Sequence, residues 1–496
     1  DADLIKRYAG SGPRYTSYPT AMEFSPAVRE QDYAAWVQRS NATRRPLSLY
    51  VHIPFCAHVC FYCACNKVVT GDRSKAQPYL AALAREIRLQ AALVDMSRPV
   101  EQLHWGGGTP TFLSEAEIRQ LMRMLGEHFQ LLEDGSGEYS IEVDPREVRE
   151  ATLPTLREIG FNRISLGVQD FNPVVQKAVH RLQSAEQTLG AMQQARELGF
   201  RSINIDLMYG LPFQTIESFS ETLDAVIDAR PDRLSVFNYA HLPERFKPQR
   251  RINREDLPSA DEKLGILSLT IDKLTAAGYQ YIGMDHFALT DDELAQAQRD
   301  GTLHRNFQGY STHSDSDLVA LGVSAISSMP DGFSQNHSNL DSYYADLEVP
   351  RLPIARGVAL DADDHLRGEV IQQLICNNTL DKRRIESQFG IDFNVVAQKL
   401  QTDLAEVGIT PTSLEAVLPE YLWRFRPQGA ARRRRCPPAS PRGDLRRAAS
   451  QLCDQPHAHG PAGSGGTFPT RCGHLRYSNA LPGRLCLPAP NPPFES

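Results

Sequence analysis

The stretch Leu47-Ser48-Leu49-Tyr50-Val51-His52-Ile53-Pro54-Phe55-Cys56-Ala57-His58-Val59-Cys60-Phe61-Tyr62-Cys63-Ala64-Cys65 decides how the chain is read. Its first half, Leu47–Phe55, is a short apolar, β-branched run of strand length. Its second half crowds four thiols into one loop. Cys56, Cys60 and Cys63 form a CX3CX2C triplet, which offers three thiolates to an iron–sulfur cubane and leaves one iron without a protein ligand. Such clusters usually take four cysteines, so the open iron is a vacancy for substrate or cofactor. A structural zinc site wants four closed ligands, and Cys65 could count as the fourth. A pair only one residue apart, Cys63 and Cys65, fits poorly onto one metal together with the CX3C half.

Outward from this loop a βα rhythm appears. Strand-like runs recur at Val100–Trp105, Tyr139–Val143, Arg163–Val168, Ile203–Met208, Arg233–Tyr239 and Tyr279–Met284. Helical spacing fills the gaps. Ser114 with Glu117 makes a capping box ahead of Ile118, Leu121, Leu125 and Phe129, Ser184 with Gln187 opens a second helix that stops at Gly199, and Ser259 with Glu262 opens a third. Strands alternating with helices predict parallel βαβ units. The fold expected is α/β: a partial (β/α) barrel of about six parallel strands, with an N-terminal extension and a smaller, mostly helical C-terminal domain.

Ligand-type residues gather at one end of these strands. Cys56 follows the first, Gly106–Gly108 the second, Glu142 and Asp144 close the third, Gln169 the fourth, Asp206 and Gly210 the fifth, Asn238 and His241 the sixth. In barrels of this kind the C-terminal strand ends carry the chemistry. The triple glycine in Trp105-Gly106-Gly107-Gly108-Thr109-Pro110 lets backbone approach where a Cβ would intrude.

Composition narrows the classes. The chain has 496 residues, 41% hydrophobic and 23% charged, with a formal charge of −7, an ordinary globular balance that gives no reason to expect nucleic acid as a partner. Its nine cysteines are too sparse for a disulfide framework. No apolar run is long enough to span a bilayer, and Asp1, Asp3, Lys6 and Arg7 do not read as a signal peptide, so a cytoplasmic protein is expected. The organisation expected is an N-terminal extension (1–45), a barrel (46–290), a C-terminal region completing the site (291–423) and a tail (424–496). The tail opens on the basic run Arg432–Arg435 and is rich in Pro, Gly and Ala, a composition unable to bury a core. A shifted reading frame or a genuine extension would each produce it.

CX3CX2C directly after a first barrel strand resembles the radical-SAM superfamily. Several further segments resemble the oxygen-independent coproporphyrinogen III oxidase family over roughly residues 1–415: Gly12-Pro13-Arg14-Tyr15-Thr16-Ser17-Tyr18-Pro19-Thr20, Cys65, Ile141-Glu142-Val143-Asp144-Pro145-Arg146, Gly167-Val168-Gln169-Asp170-Phe171, Asn204-Ile205-Asp206-Leu207 and Phe237-Asn238-Tyr239-Ala240-His241. Haem-chaperone relatives share the triplet and the glycines but generally lack Cys65 and the N-terminal segment.

The resemblance implies a [4Fe–4S] cluster on Cys56, Cys60 and Cys63, and S-adenosylmethionine as cofactor, with a second molecule beside the first. It implies that Tyr50, Gly107, Glu142, Ala240 and Ile326 contact the cluster-bound molecule, and that Tyr62, Gly108, Thr109, Gln169, Arg181 and Asp206 contact the second. Position 62 is often phenylalanine in the family. The resemblance further implies a catalytic Cys65, coproporphyrinogen III as substrate, an electron donor such as flavodoxin or ferredoxin, and a monomer. His104, His241 and Arg14 are candidates for substrate contact, and His58 reads as a solvated loop residue. A cubane with one uncapped iron changes its spectrum when S-adenosylmethionine is added to anaerobically purified protein; a colourless centre, or an indifferent spectrum, contradicts the three-ligand reading.

Overall fold

The run Leu47–Ile53 forms strand β1, and Leu47, Leu49, Val51 and Ile53 are each no more than 1% exposed. A strand so apolar belongs between other strands rather than at an edge. The computed structural model describes residues 17–393, and within them β1 has a parallel neighbour on each side. One is β2 (Pro99–Gly107), after which β3 (Glu138–Val143), β4 (Arg163–Gln169), β5 (Ser202–Tyr209) and β6 (Arg233–Asn238) follow in parallel order. These six strands are the expected partial barrel.

Helices cover its outside, and their starts follow the sequence signals. α1 (Glu30–Asn41) precedes β1, and α2 (Ala76–Ala91) links β1 to β2. α3 (Glu115–Gly126) begins with the reciprocal Ser114–Glu117 box and buries Ile118, Leu121 and Leu125. After α4 (Thr152–Glu158), α5 (Ala185–Glu197) is capped by Ser184. α6 (Ile216–Ala229) and α7 (Ala260–Ala276) complete the set, α7 with the Ser259–Glu262 box.

The seventh strand-like run is a strand, β7 (Tyr279–Gly283), but does not continue the parallel series. It turns through Met284 and Asp285 into β8 (His286–Leu289), which pairs antiparallel with both β7 and β6. Two residues suffice for a hairpin and are far too few for a parallel crossover.

Beyond residue 290 the chain returns to the other side of β1. β9 (Asp317–Leu321) pairs parallel with it, and β10 (Ile326–Met329), β11 (Gly332–Asn336) and β12 (Ile354–Ala359) extend the same sheet antiparallel. Helices α8 (Leu340–Glu348) and α9 (Ala362–Asn377) accompany them. In this region Ile385 is fully buried, and Leu374, Ile375 and Phe389 pack against small satellite clusters. The tail 424–496 and residues 12–16 of the N-terminal segment, Arg14 among them, lie outside the described residues. No described helix is long and apolar enough to cross a membrane.

Two buried carboxylates fasten β9 to this frame. Asp317, 1% exposed, receives hydrogen bonds from Arg98 and from the Ser40 hydroxyl, with Arg45 Nε at 3.3 Å. Glu86, on α2 and fully buried, accepts from Gly322 N at 2.8 Å, Asn336 Nδ2 at 2.6 Å and the Tyr343 hydroxyl at 2.6 Å. Burial raises the Glu86 carboxyl to about 7 from its usual 4.5, and the three donors only partly oppose this. The folded protein therefore holds a proton that the unfolded chain has released, and stability falls as pH rises from about 4.5 to about 7. Urea unfolding at pH 5 and pH 8 is expected to show a loss of up to about 3 kcal/mol from this group. Glu86→Gln is expected to flatten that slope, whatever its effect on absolute stability.

Candidate active site

The cysteine loop starts where β1 stops, and its base is clamped. Phe55–Cys56 pairs with Val68–Val69, with Val68 N donating to the Pro54 carbonyl at 2.7 Å and Thr70 N to that of Cys56 at 2.9 Å. Between these ends, Phe61 N donates to the Val179 carbonyl at 2.9 Å, Gln249 Nε2 to that of Tyr62 at 2.9 Å, and Lys67 Nζ to that of Cys63 at 2.9 Å. Cys56 and Cys60 are buried, Cys63 is half-buried and Cys65 exposed. All four line one cavity of about 470 Å³.

Each sulfur has a different environment. The Thr109 hydroxyl donates to Cys56 Sγ at 3.5 Å. Arg146 Nη2 and Arg181 Nη1 reach Cys60 Sγ at 3.4 and 3.5 Å, and Asp144 holds both guanidiniums, at 2.7 and 3.1 Å. Burial pushes the Cys56 thiol up to about 11. The hydrogen bond from Cys65 draws the Cys63 thiol down to about 5 against its burial, with Lys67 assisting, while Cys65 is pushed up by the same partner. The two thiols thus titrate as a coupled pair. Among the described residues no three His, Cys, Asp or Glu side chains gather around a point as a single ion requires. Thiolates bound to separate irons of a cubane need not converge in that way.

The glycines serve close packing at the barrel mouth. A Cβ on Gly106 would lie 2.8 Å from Glu142 Oε1, on Gly107 2.6 Å from His52 Cε1, and on Gly108 2.6 Å from the Pro54 oxygen; Gly107 also has φ +112°. The ends of β1 and β2 thus touch, and Gly107 N–H donates to Glu142 Oε2 at 3.2 Å. His104 Nε2 lies 3.4 Å from the other Glu142 oxygen. Burial opposes ionisation of Glu142, but His104, the Gly107 amide and His52 together hold its carboxyl below the usual range. Asp206 goes the other way. Burial lifts it to about 6, with Ser165 at 2.9 Å and Asn204 at 2.8 Å hydrogen-bonded to it.

Of the residues singled out from sequence, Cys56, Cys60, Tyr62, Cys63, Cys65, Gly107, Gly108, Thr109, Glu142, Gln169, Arg181 and Asp206 line the cavity, as do His58 and His104. Tyr50, Ala240, Ile326 and His241 are not among its lining. Tyr50 stacks on His104 at 5.8 Å and bonds His52 Nδ1 at 3.1 Å. The Ala240 carbonyl accepts from Gln249, Ile326 opens β10, and His241 bonds the Tyr239 hydroxyl. Sequence reasoning gave no role to Lys67 or Arg146 and took Asp144 only as a ligand-type residue at a strand end. The last two stood in a quoted motif, and an Asp-Pro-Arg directly after a strand was their signal. Nor did it find Glu138, Arg163 and Arg233, which sit at strand starts yet line the cavity, so the space runs down the barrel interior.

Comparison with known proteins agrees with this geometry. The profile of the Radical SAM superfamily matches residues 50–226. The oxygen-independent coproporphyrinogen III oxidase of Pseudomonas aeruginosa is 58% identical over 404 residues, 82% of this chain and 88% of that protein. The chain belongs to the oxygen-independent coproporphyrinogen III oxidase family. The Escherichia coli relative of the same name is 53% identical over 412 residues, covering 82% and 89%. A solved structure described as coproporphyrinogen III oxidase (HemN) from Escherichia coli, a radical SAM enzyme, superposes with TM-score 0.77 at 50% identity over 85% of this chain and 97% of that one.

Members of this family carry a [4Fe–4S] cluster and S-adenosylmethionine, and the residues present fit both. Three thiols share one cavity, with Thr109 donating to Cys56, Arg146 and Arg181 to Cys60, and Cys65 to Cys63. Gln169, at φ +71°, has a buried carboxamide oxygen without a partner among the described residues, and Arg181 Nε is likewise unpartnered. Such groups are expected to meet a polar ligand. Because Gly107 combines a left-handed backbone with a Cβ position only 2.6 Å from the His52 ring, Gly107→Ala is expected to cost about 1–3 kcal/mol of stability, measurable by denaturant unfolding of the cluster-free protein.

Proposed function

We propose that the chain converts coproporphyrinogen III to protoporphyrinogen IX without oxygen, as a radical-SAM oxidoreductase of porphyrin and haem biosynthesis. The observation carrying this reading is the single cavity at the C-terminal strand ends, where the CX3CX2C thiols and Cys65 face Glu142, Gln169 and Asp206. Family membership over four-fifths of the chain supports it. Each of two propionates gives up a hydrogen atom, CO2 and one further electron, and becomes a vinyl group. The reduced cluster with S-adenosylmethionine would supply what side chains lack, a carbon radical able to abstract hydrogen from a propionate carbon.

The chain's own residues bind and orient. Cys56, Cys60 and Cys63 would hold the cluster, and Arg146 and Arg181 donate to the Cys60 sulfur. Glu142, anionic beside the Gly107 amide, suits the ammonium or ribose hydroxyls of the first cofactor, with Tyr50, Ala240 and Ile326 assigned to it by the resemblance. Gln169, Arg181 and Asp206, with Tyr62, Gly108 and Thr109, suit a second S-adenosylmethionine. Cys65, open to the cavity, is positioned to pass a hydrogen atom or electron. A flavodoxin- or ferredoxin-class donor and a monomeric state complete the reading by resemblance, with the cytoplasm as the expected compartment.

After anaerobic reconstitution with iron and sulfide, incubation with coproporphyrinogen III, S-adenosylmethionine and a reductant is expected to yield protoporphyrinogen. Haem retention without turnover would overturn the assignment. Cys65→Ser is expected to keep the cluster spectrum yet lose on the order of a hundredfold in turnover, the scale of a positioned transfer group. Hydrogen bonds to sulfur stabilise the reduced cluster, so Arg146→Ala is expected to lower its midpoint potential in an EPR-monitored titration.

A further inference from the structure

Phe61 lies in the cysteine loop between Cys60 and Cys63, and residues from two other segments hold its ring. His180 stacks on it at 5.0 Å between centroids and 8° between planes, and the Arg251 guanidinium lies 5.1 Å from its centroid. His180 takes a left-handed backbone, φ +55°, and its Nδ1 bonds the Val59 carbonyl at 2.8 Å. A non-glycine residue in that region stores strain, so this contact is built into the fold. The short helix Pro173–Ala178 and the turn Lys247–Arg251 therefore meet the outer side of the cysteine loop.

The surface so formed carries an excess of basic over acidic side chains in a chain of net charge −7. Residues 173–182 place Lys177 and His180 at the surface, Arg181 being buried against Asp144; residues 244–256 hold Arg245, Lys247, Arg250, Arg251 and Arg254 against Glu244, Glu255 and Asp256. Lys177, Lys247, Arg250 and Arg251 are exposed, and none has a carboxylate partner among the described residues. Two apolar side chains accompany them, Val174 at 57% and Leu182 at 61% exposure. Exposed apolar groups beside unpaired cations in excess are the make-up of an electrostatically steered docking site.

We propose that this surface docks an acidic one-electron carrier protein of the flavodoxin type, bringing its flavin against the Phe61 side of the cysteine loop. The inference rests on the proposed cluster site and names its partner. The transfer balances simply: the flavin hydroquinone is oxidised to the semiquinone, the cluster takes the electron, and no covalent bond forms or breaks. Entry from this side leaves the cavity to cofactor and substrate.

Oxidised flavodoxin, followed by its flavin fluorescence, is titrated into the cluster-free and the reconstituted protein. Lys177→Glu with Arg250→Glu, neither of which contacts the loop, is expected to weaken binding about tenfold at low salt, with the difference vanishing near about 1 M salt. Reduction of the cluster by flavodoxin hydroquinone, read by EPR, is expected to slow in parallel, whereas dithionite reduction and dithionite-driven turnover stay unchanged. Equal binding and equal reduction rates in variant and wild type would overturn the proposal. So would charge-dependent binding of the wild type to anionic lipid vesicles with flavodoxin-driven reduction indifferent to the two substitutions. Failure to assemble a cluster would count against the proposed function alone, because flavodoxin binding to the cluster-free protein still tests the surface.

Discussion

The position at which β1 ends is the constraint on which the site depends. β1 is hydrogen-bonded in parallel to β2 and β9, so neither its register nor its direction is free. Its last turn is held as well: the Tyr79 hydroxyl, from α2, donates to the His52 carbonyl at 2.6 Å and accepts from Val323 N at 3.1 Å. Glu86, further along α2, ties down Gly322 and Asn336 beside it. Three cysteines begin within three residues of that anchored end. A loop of ten residues hung from a loose edge strand would sample many arrangements, and entropy would oppose any one of them. Hung from β1, with its base paired and its middle bonded to Val179 and Gln249, it has few to sample.

The cavity next to this anchor is divided by charge. Around the thiols the chain places cations: Arg146 and Arg181 at Cys60, Lys67 near Cys63. Opposite stand carboxyls in two protonation regimes, Glu142 held below its usual range and Asp206 lifted to about 6. Such paired departures, arising from burial plus specific neighbours in one cleft, mark functional sites. Asp144 gives the arrangement its rigidity, since one buried carboxylate aligns two guanidiniums on the same sulfur.

The glycines show how packing and chemistry share residues. Gly107 and Gly108 bring the end of β2 against His52, Pro54 and Phe55 more closely than any side chain would permit, Gly106 leaves room for the Glu142 carboxylate, and the Gly107 amide donates to Glu142. Backbone apposition here is what leaves room at the mouth for the cavity.

Much of this was legible in the sequence, for local reasons. Apolar runs with period two, capping boxes at Ser114 and Ser259, and the CX3CX2C spacing act within a few residues, so the parallel barrel, its helices and the cysteine loop could be read off directly. Residues at the C-terminal ends of parallel strands must share a face, and that rule brought Glu142, Gln169 and Asp206 together with the thiols in advance. Long-range pairing was not legible. Nothing within Asp317–Leu321 says that it lies beside β1, nor does Tyr279–Gly283 announce a hairpin until the two residues after it are counted. The partnership of Asp144 with Arg181, 37 positions away, and the stacking of His180 and Arg251 on Phe61 were equally hidden. The amino-acid order by itself determined which residues could bear iron, strand and cap; only the tertiary structure decided which of them meet, because contacts between distant segments depend on how whole elements pack.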